Sequence, residues 1–234
     1  MEFSHVSPLR IALLDDHAMI RYGQATRFAQ ESDFLIVGEY SSSRGLLEGL
    51  RTIKVDVLVL DYSLRPDELD GLNLIRLLRR RYPQMRIVIS SAHEHSATVQ
   101  LIIRAGVQGF VGKTQDIERL IEAVRVVAAE RIYLDPLMTA EFDPAFKIEA
   151  TDGDQGNELG LEGQDSVLVR SASLSIRERE VLRCCLEGMS VTQIAGKFSR
   201  SIKTISGQKQ AAFRKLGVKN DTEMFKLHAH LGGF

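Results

Sequence analysis

The chain has 234 residues, a length that allows one large domain or two smaller ones. Of these residues 44% are hydrophobic and 26% are charged, a composition typical of a globular protein, and the net charge is −1. No apolar run could cross a bilayer, and the N-terminus lacks the basic start and apolar core of a secretory signal. The only cysteines, Cys184 and Cys185, are adjacent, which excludes a disulfide framework and favours a reducing, cytoplasmic location.

Charge is unevenly distributed along the chain. Residues 1–134 carry 17 basic and 17 acidic side chains, residues 135–172 carry 2 and 9, and residues 173–234 carry 11 and 5. The resulting net charges of 0, −7 and +6 predict a neutral domain, an acidic linker and a basic domain. A basic domain suggests an anionic partner, with nucleic acid first, although a solvated basic surface would have the same composition.

The first domain alternates between apolar strand patterns and amphipathic helix patterns. Strands are predicted at 10–16, 34–40, 55–61, 86–91 and 109–113. Helices are predicted at 17–30, 44–51, 71–82, 96–105 and 114–130. This order predicts a doubly wound, flavodoxin-like sheet of five parallel strands, with functional groups at the carboxyl ends of the strands.

Polar side chains end four of these strands. They are Asp15 and Asp16 after the first strand, Asp61 after the third, Ser90 and Ser91 after the fourth, and Lys113 after the fifth. Three carboxylates at one edge of a sheet repel one another and need a cation nearby. Mg²⁺ prefers oxygen ligands and neutralises charge on a transferring phosphoryl group, so it is the predicted cofactor.

With this set of residues, the segment 9–130 resembles the receiver domain of bacterial two-component response regulators. The resemblance implies that Asp61 accepts a phosphoryl group from a histidine kinase or phosphotransfer protein. It also implies that Asp16 and Asp61 bind Mg²⁺ directly, that the Ser63 backbone carbonyl is a third ligand, and that Asp15 holds a metal-bound water.

The same resemblance implies a switch that follows phosphorylation. Lys113 would pair with the phosphoryl oxygens, Ser90 would move to hydrogen-bond the phosphate, and Phe110 would be the coupled aromatic residue. A receiver that never accepts phosphate is the alternative, but such a domain would normally have lost part of the acid–lysine set, which is complete here.

The chain departs from the usual receiver pattern at two places. The loop after Asp61 contains an extra Asp-Glu-Leu at 67–69, and Thr114 stands where a proline commonly follows the lysine. The longer loop resembles that of the capsule-synthesis branch of regulators. Signalling is expected to change self-association through the helix at 96–105 or through the helices at 17–30 and 114–130.

Residues 149–166 are rich in Gly, Asp, Glu and Gln and show no periodicity. Together with their flanks, they predict a flexible acidic linker over 135–172. The stretch DGDQGNELG lacks the spacing of a calcium-binding loop, so a solvated spacer is favoured over a metal site.

The last segment, 173–234, predicts four short helices that include a helix-turn-helix. Ser175 followed by Glu178 is a capping-box signature, and Ser190, Ser201 and Asp221 are the other candidate caps. The third helix is predicted to run from Ser201 to about Leu216. Its apolar residues are expected to pack inward: Ile202, Ile205, Ala212, Phe213 and Leu216.

Four stretches in this segment resemble the LuxR-type helix-turn-helix: LSIREREVL at 174–182, EGMSVTQIA at 187–195, SIKTIS at 201–206 and RKLGVKNDT at 214–222. The resemblance implies that the third helix lies in the major groove of DNA. The implied contacts are phosphate binding by Lys203, Thr204 and Lys209, base reading by Ser206, Gly207 and Gln210, and further contacts from Gln208 and Lys215.

These two resemblances identify the chain as a member of the NarL/FixJ class of DNA-binding response regulators. The expected function is transcriptional control, in which phosphorylation of Asp61 changes self-association and promoter binding by a homodimer. The alternative is a phosphorylation-independent regulator that acts with a partner regulator, including as a heterodimer. The chain is not expected to be an enzyme beyond self-phosphotransfer and self-dephosphorylation at Asp61.

Overall fold

The computed structural model describes residues 7–92, 96–134 and 174–231. The predicted linker at 135–172 lies outside the described residues. None of the helices within those three ranges is long and apolar enough to cross a membrane.

The N-terminal part is built on one sheet of five parallel strands in the order β2-β1-β3-β4-β5. The strands are β1 (Leu9–Leu14), β2 (Phe34–Tyr40), β3 (Val57–Asp61), β4 (Arg86–Ser91) and β5 (Gly109–Gly112). Strand β3 lies in the middle of the sheet and is buried along its whole length. The prediction of a doubly wound parallel sheet is therefore confirmed.

Helices cover both faces of this sheet. They are α1 (Ala18–Phe28), α2 (Ser43–Gly49), α3 (Gly71–Arg81), α4 (Ser96–Arg104) and α5 (Ile117–Ala128). One core contains residues of α2, α3 and α4, and the other contains residues of α1 and α5. The fifth helix begins three residues later than predicted, because Lys113 and Thr114 form a turn and Asp116 caps the helix by accepting from the Glu118 N–H.

The C-terminal part forms a separate helical core. Its helices are α6 (Ile176–Leu186), α7 (Val191–Lys197), α8 (Ile202–Leu216) and α9 (Asp221–Leu231). Ser175 and Ser190 each form a capping box, and the Ser201 side chain accepts from the Thr204 N–H. Both cysteines are free and buried. One expectation is wrong: Ile202 is 54% exposed, because it lies in the first turn of α8, outside this core.

The two parts are in direct contact. The contact joins the loop 62–70 and helix α3 to helices α6 and α7, and the Ile176 side chain packs against the core on the α2–α4 face of the sheet. The loop that follows the central strand is therefore also the surface on which the helical part rests.

Candidate functional site

The carboxyl edge of the sheet brings together the acidic residues that the sequence places at separate strand ends. Strands β1 and β3 are neighbours, so Asp15 and Asp16 lie beside Asp61. Ligand atoms of these three carboxylates and of His17 all lie within 4.8 Å of one another. We call Asp15, Asp16, Asp61 and the nearby Lys113 the acidic site.

Lys113 joins two of these carboxylates. Its Nζ lies 2.7 Å from Oδ2 of Asp15 and 2.7 Å from Oδ2 of Asp61. The backbone N–H of Lys113 donates to the Ser91 carbonyl at 2.8 Å, so the turn after β5 is held against the end of β4. This geometry places the ammonium group where it can neutralise new negative charge on Asp61.

The electrostatics of the acidic site are dominated by burial. Asp61 is only 4% exposed, and this burial raises the pKa of its carboxyl to about 6, with Lys113 opposing the shift and Asp15 adding to it. Burial also lowers the pKa of Lys113, but the neighbouring Asp61 and Asp15 outweigh that effect and raise it. At neutral pH the lysine is therefore charged, and the ionised form of Asp61 exists at a cost in free energy.

The donor set of the acidic site fits a divalent cation with oxygen ligands. Three carboxylates face one ammonium group, which leaves two negative charges uncompensated. Oδ1 of Asp16 is buried and accepts no hydrogen bond, although His17 Nδ1 lies 3.0 Å away. The Ser63 backbone N–H donates to Asp61 Oδ1 at 3.3 Å, so the backbone of that predicted ligand also lies beside the site. Mg²⁺ suits this chemistry.

His17 lies beside the acidic site and was not predicted there. Its backbone N–H donates to Asp15 Oδ1, and its side chain is 64% exposed beside the two aspartates. His17 is the N-cap of α1 and belongs to no apolar pattern. In the sequence, only its position directly after Asp15 and Asp16 could have indicated that it lies beside them.

Strand β4 offers two neighbouring hydroxyl groups near Asp61. Ser90 is the partner of Asp61 in the register of β3 and β4, and Ser91 is one residue nearer the carboxyl edge. Both are buried, and neighbours on a strand point to opposite faces. Ser90 remains the predicted switch residue, and the structure adds Ser91 as a second candidate. Phe110 is fully buried in the core that also contains residues of α4.

Helix α8 presents part of the predicted DNA-binding set to solvent. Lys203, Thr204, Gly207 and Gln210 are exposed, whereas Ser206 and Gln208 are half-buried. Three of the exposed residues, together with Arg214, form one outward stripe with the spacing of a helix face: 203, 207, 210 and 214. Arg214 was missing from the predicted contact set, although the spacing from Lys203 could have indicated it.

Two predicted DNA-binding lysines have acidic partners within the helical part. Lys209 Nζ lies 2.6 Å from Asp221 Oδ1 of α9, and Lys215 Nζ lies 2.8 Å from Glu178 Oε2 of α6. These partners hold the two lysines at the sides of α8. Gln208 lines the cleft between α8 and helix α3, next to Asn73 and Leu77.

A second cluster of charged side chains lies between the two parts and was not predicted; Asp70, Glu180 and Lys197 are buried in it, Arg183 is half-buried, and Glu187 is exposed at its edge. We call it the Asp70 cluster; its members are Tyr62, Ser63, Asp70, Glu180, Arg183, Glu187 and Lys197. Asp70 is fully buried and forms ion pairs with both Arg183 and Lys197. The sequence carries no periodic signal for it, because its members come from segments more than one hundred residues apart.

Comparisons with known proteins agree with both resemblances. The family model "Response regulator receiver domain" matches residues 11–125, and "Bacterial regulatory proteins, luxR family" matches residues 172–227. The chain is 33% identical over 216 residues to the transcriptional regulatory protein UhpA of Salmonella typhimurium strain LT2, covering 92% of this chain and 95% of that protein. It is 30% identical over 214 residues to the transcriptional regulatory protein RcsB of Escherichia coli K12, covering 91% and 90%.

Solved structures of RcsB share the fold. One structure of the Salmonella typhimurium RcsB response regulator, described for its conformational dynamism in DNA interaction, has a TM-score of 0.75 at 28% identity and covers 96% of this chain and 98% of that one. RcsB from Salmonella enterica serovar Typhimurium, bound to promoter rprA in the presence of the phosphomimetic BeF3−, has a TM-score of 0.67 at 26% identity, covering 94% and 98%.

Proposed function

The chain belongs to the response regulators that join a receiver domain to a LuxR-type DNA-binding domain, and we propose that phosphorylation of Asp61 controls its binding to promoter DNA. The observation that carries this proposal is the acidic site, in which Asp61 is paired with Lys113 beside two further carboxylates. We assign the receiver domain to residues 1–134, the linker to 135–172 and the DNA-binding domain to 173–234.

In the proposed reaction, the carboxylate of Asp61 attacks the phosphorus of a phosphohistidine on a kinase or phosphotransfer protein. A new Asp61 Oδ–P bond forms, and the P–N bond to the donor histidine breaks. Asp16, Asp61 and the Ser63 carbonyl would hold Mg²⁺, with Asp15 holding one of its waters, and the ion would supply charge neutralisation at the phosphoryl oxygens. Hydrolysis of the acyl phosphate would reset Asp61, and we infer no other enzymatic activity.

The ammonium of Lys113 is placed to pair with the new phosphoryl group because it already lies 2.7 Å from Asp61 Oδ2. A hydroxyl at the end of β4, from Ser90 or its neighbour Ser91, would donate to the same group. Phe110 belongs to the core shared with α4, so a rearrangement there would reach the α4 surface.

Promoter DNA is the proposed partner of α8. The outward stripe of Lys203, Gly207, Gln210 and Arg214 has the polar and basic character of a helix that enters the major groove. One such domain neutralises few phosphates, so a homodimer would gain affinity through effective concentration. RcsB has been solved on promoter DNA with a phosphomimetic, which supports the same arrangement here. A promoter-binding role also implies a cytoplasmic location.

The test combines phosphorylation with DNA binding. The full chain is incubated with acetyl phosphate and Mg²⁺, and intact mass, sedimentation and a promoter shift assay are recorded. We expect one added phosphoryl group, a dimer, and promoter affinity that rises roughly tenfold or more. Removal of Mg²⁺ with EDTA should prevent the mass change.

The variant Asp61→Asn is the matched control, since it keeps the size and shape of the side chain but cannot form an acyl phosphate. It should gain no mass and should bind DNA as the untreated protein does. If the wild type also gains no mass, or gains it without any change in DNA affinity, phosphorylation control is wrong. In that case the phosphorylation-independent regulator that pairs with a partner protein becomes the better description.

A further inference from the structure

The loop 62–70 connects the proposed phosphoacceptor directly to the DNA-binding domain. It begins one residue after Asp61 and ends at the N-cap of α3. Within the receiver it is fixed by hydrogen bonds from the Leu64 N–H to Asp70 Oδ2 and from the Gly71 N–H to the Tyr62 carbonyl. Glu68 anchors its middle by accepting from the Ser43 backbone N–H. These hydrogen bonds therefore fix the shape of the loop.

Arg183 of α6 holds both ends of this loop. Its Nη2 donates to Asp70 Oδ1 at 2.7 Å, and its Nη1 donates to Ser63 Oγ at 3.1 Å. The guanidinium carbon also lies 5.4 Å from the centre of the Tyr62 ring. A planar fork with several donors is well suited to bind two acceptors at fixed positions.

The rest of the Asp70 cluster excludes water from this contact. The side chains of Asp70 and Lys197 are fully buried, and their charged atoms lie 2.8 Å apart. The buried Tyr62 hydroxyl donates to Glu180 Oε1 at 2.8 Å. At the exposed edge of the cluster, Ser63 Oγ donates to Glu187. A β-carbon at Gly71 would lie only 2.3 Å from Glu180 Oε2, so the domains are in close contact here. Removing one member of such a buried pair is strongly destabilising to the contact.

Ser63 is shared by the acidic site and the Asp70 cluster. Its backbone N–H donates to Asp61, and its side chain contacts Arg183 and Glu187 of the other domain. The position of the residue beside the phosphoacceptor is thus set partly by the DNA-binding domain. Any movement of this loop that accommodates a phosphoryl group must strain or break the contacts of Arg183.

We propose that Arg183 is a positioning residue for phosphoryl transfer: through Ser63 and Asp70 it restrains the loop after Asp61, so the docked DNA-binding domain slows both gain and loss of the phosphoryl group. The inference rests on the proposed function, because it assigns a control of the same site.

The test compares full-length variants in the acetyl phosphate reaction with Mg²⁺. Arg183→Ala removes the fork, and Lys197→Met removes the second buried cation from a different helix while keeping its volume. Lys226→Ala, an exposed position on α9, is the matched control. We expect the first two variants to be phosphorylated at least about 5-fold faster than wild type, with faster hydrolysis after the donor is removed and a larger radius of gyration. The control should match wild type in all three measurements.

Non-additivity distinguishes positioning from a general structural effect. If Arg183 acts through Asp70, then Arg183→Ala should add nothing to the rate in an Asp70→Ala background. Rates within about twofold of wild type for both single variants would overturn the proposal, whether or not the domains separate, since that is below the smallest usual coupling. Should circular dichroism show that a variant is unfolded, Tyr62→Phe replaces it, and an unchanged rate there also counts against the proposal.

Failure of the wild type to gain any phosphoryl group would instead contradict the proposed function. The two failures are distinguishable because the inference is judged only by ratios between variants and wild type, whereas the proposed function is judged by the mass change of the wild type itself.

Discussion

Two clusters of charged side chains in the described part of the chain, the acidic site and the Asp70 cluster, differ in their balance of charge. In the acidic site, the carboxylates of Asp15, Asp16 and Asp61 face a single ammonium group. In the Asp70 cluster, three carboxylates face Arg183 and Lys197, and every carboxylate has a donor within hydrogen-bond distance. The first cluster thus has a formal net charge of −2, whereas the second has −1 and is balanced in the sense that each of its carboxylates has a donor.

This difference separates a ligand site from a structural contact. A buried group of like charges is stable only when a cation or a proton compensates it. Burial raises the pKa of Asp61 to about 6, with the neighbouring Asp15 adding to the shift and Lys113 opposing it. A buried group of balanced charges needs no ligand, but it depends on each of its members. Neutralising a carboxylate should therefore stabilise the first cluster and disrupt the second.

The largest effect is expected from Asp70→Ala. The variant removes the carboxylate that pairs with the buried Lys197, whereas Arg183 keeps Glu180 and Glu187, and breaking a buried pair in this way costs about 3–5 kcal/mol. Because separation of the domains returns both cations to water, we expect the contact to open. Small-angle scattering should show a larger radius of gyration, whereas Arg44→Ala, in an exposed pair with Glu48, should leave it unchanged. A compact Asp70→Ala variant would contradict the view that this cluster holds the domains together.

The second-largest effect is expected from Asp61→Asn, which should stabilise the folded protein rather than destabilise it. Since the pKa of Asp61 is about 6 when folded and about 3.9 when unfolded, the folded state holds the proton more tightly. The stability that the protonated Asp61 side chain contributes is therefore lost as pH rises from about 4 to 6. In metal-free buffer the Asn variant should be more stable than wild type by up to about 3 kcal/mol near pH 7, with no difference near pH 4.

Denaturant unfolding of both proteins at several pH values measures this difference. Asp70→Asn is the matched comparison, because it neutralises an acid in the balanced cluster and should lower stability or open the domain contact at pH 7 instead. Equal destabilisation by both substitutions would show that charge balance does not distinguish the two clusters.

The smallest effect is expected for DNA binding by the lysines of α8, which also differ in whether an acidic partner is present. Lys203 is exposed and has no ion-pair partner among the described residues, whereas Lys215 is paired with Glu178. Lys203→Ala should reduce the slope of log affinity against log salt concentration by about one, because one phosphate contact is lost. Lys215→Ala should change the slope less. Fluorescence anisotropy with labelled promoter DNA at several salt concentrations measures both slopes, and equal changes would show that Lys215 also contacts a phosphate.

Local features of the fold could be predicted because neighbouring residues decide them. Ser175 and Ser190 cap their helices as expected, since a capping box is closed within four residues. Ile202 shows the limit of this approach. Its apolar side chain matched the inward pattern of α8, but in the first turn of that helix it lies outside the helical core and remains exposed.

By itself, the sequence determined that Asp15, Asp16, Asp61 and Lys113 would meet. Parallel strands place their carboxyl ends at one edge of the sheet, so polar residues at the ends of the strands can be assigned to that edge from the sequence. Only the tertiary structure decided which charged side chains would pair with one another between the two domains. Asp70 and Arg183 are 113 residues apart, and they meet because two domains pack against one loop, a contact that no local pattern encodes.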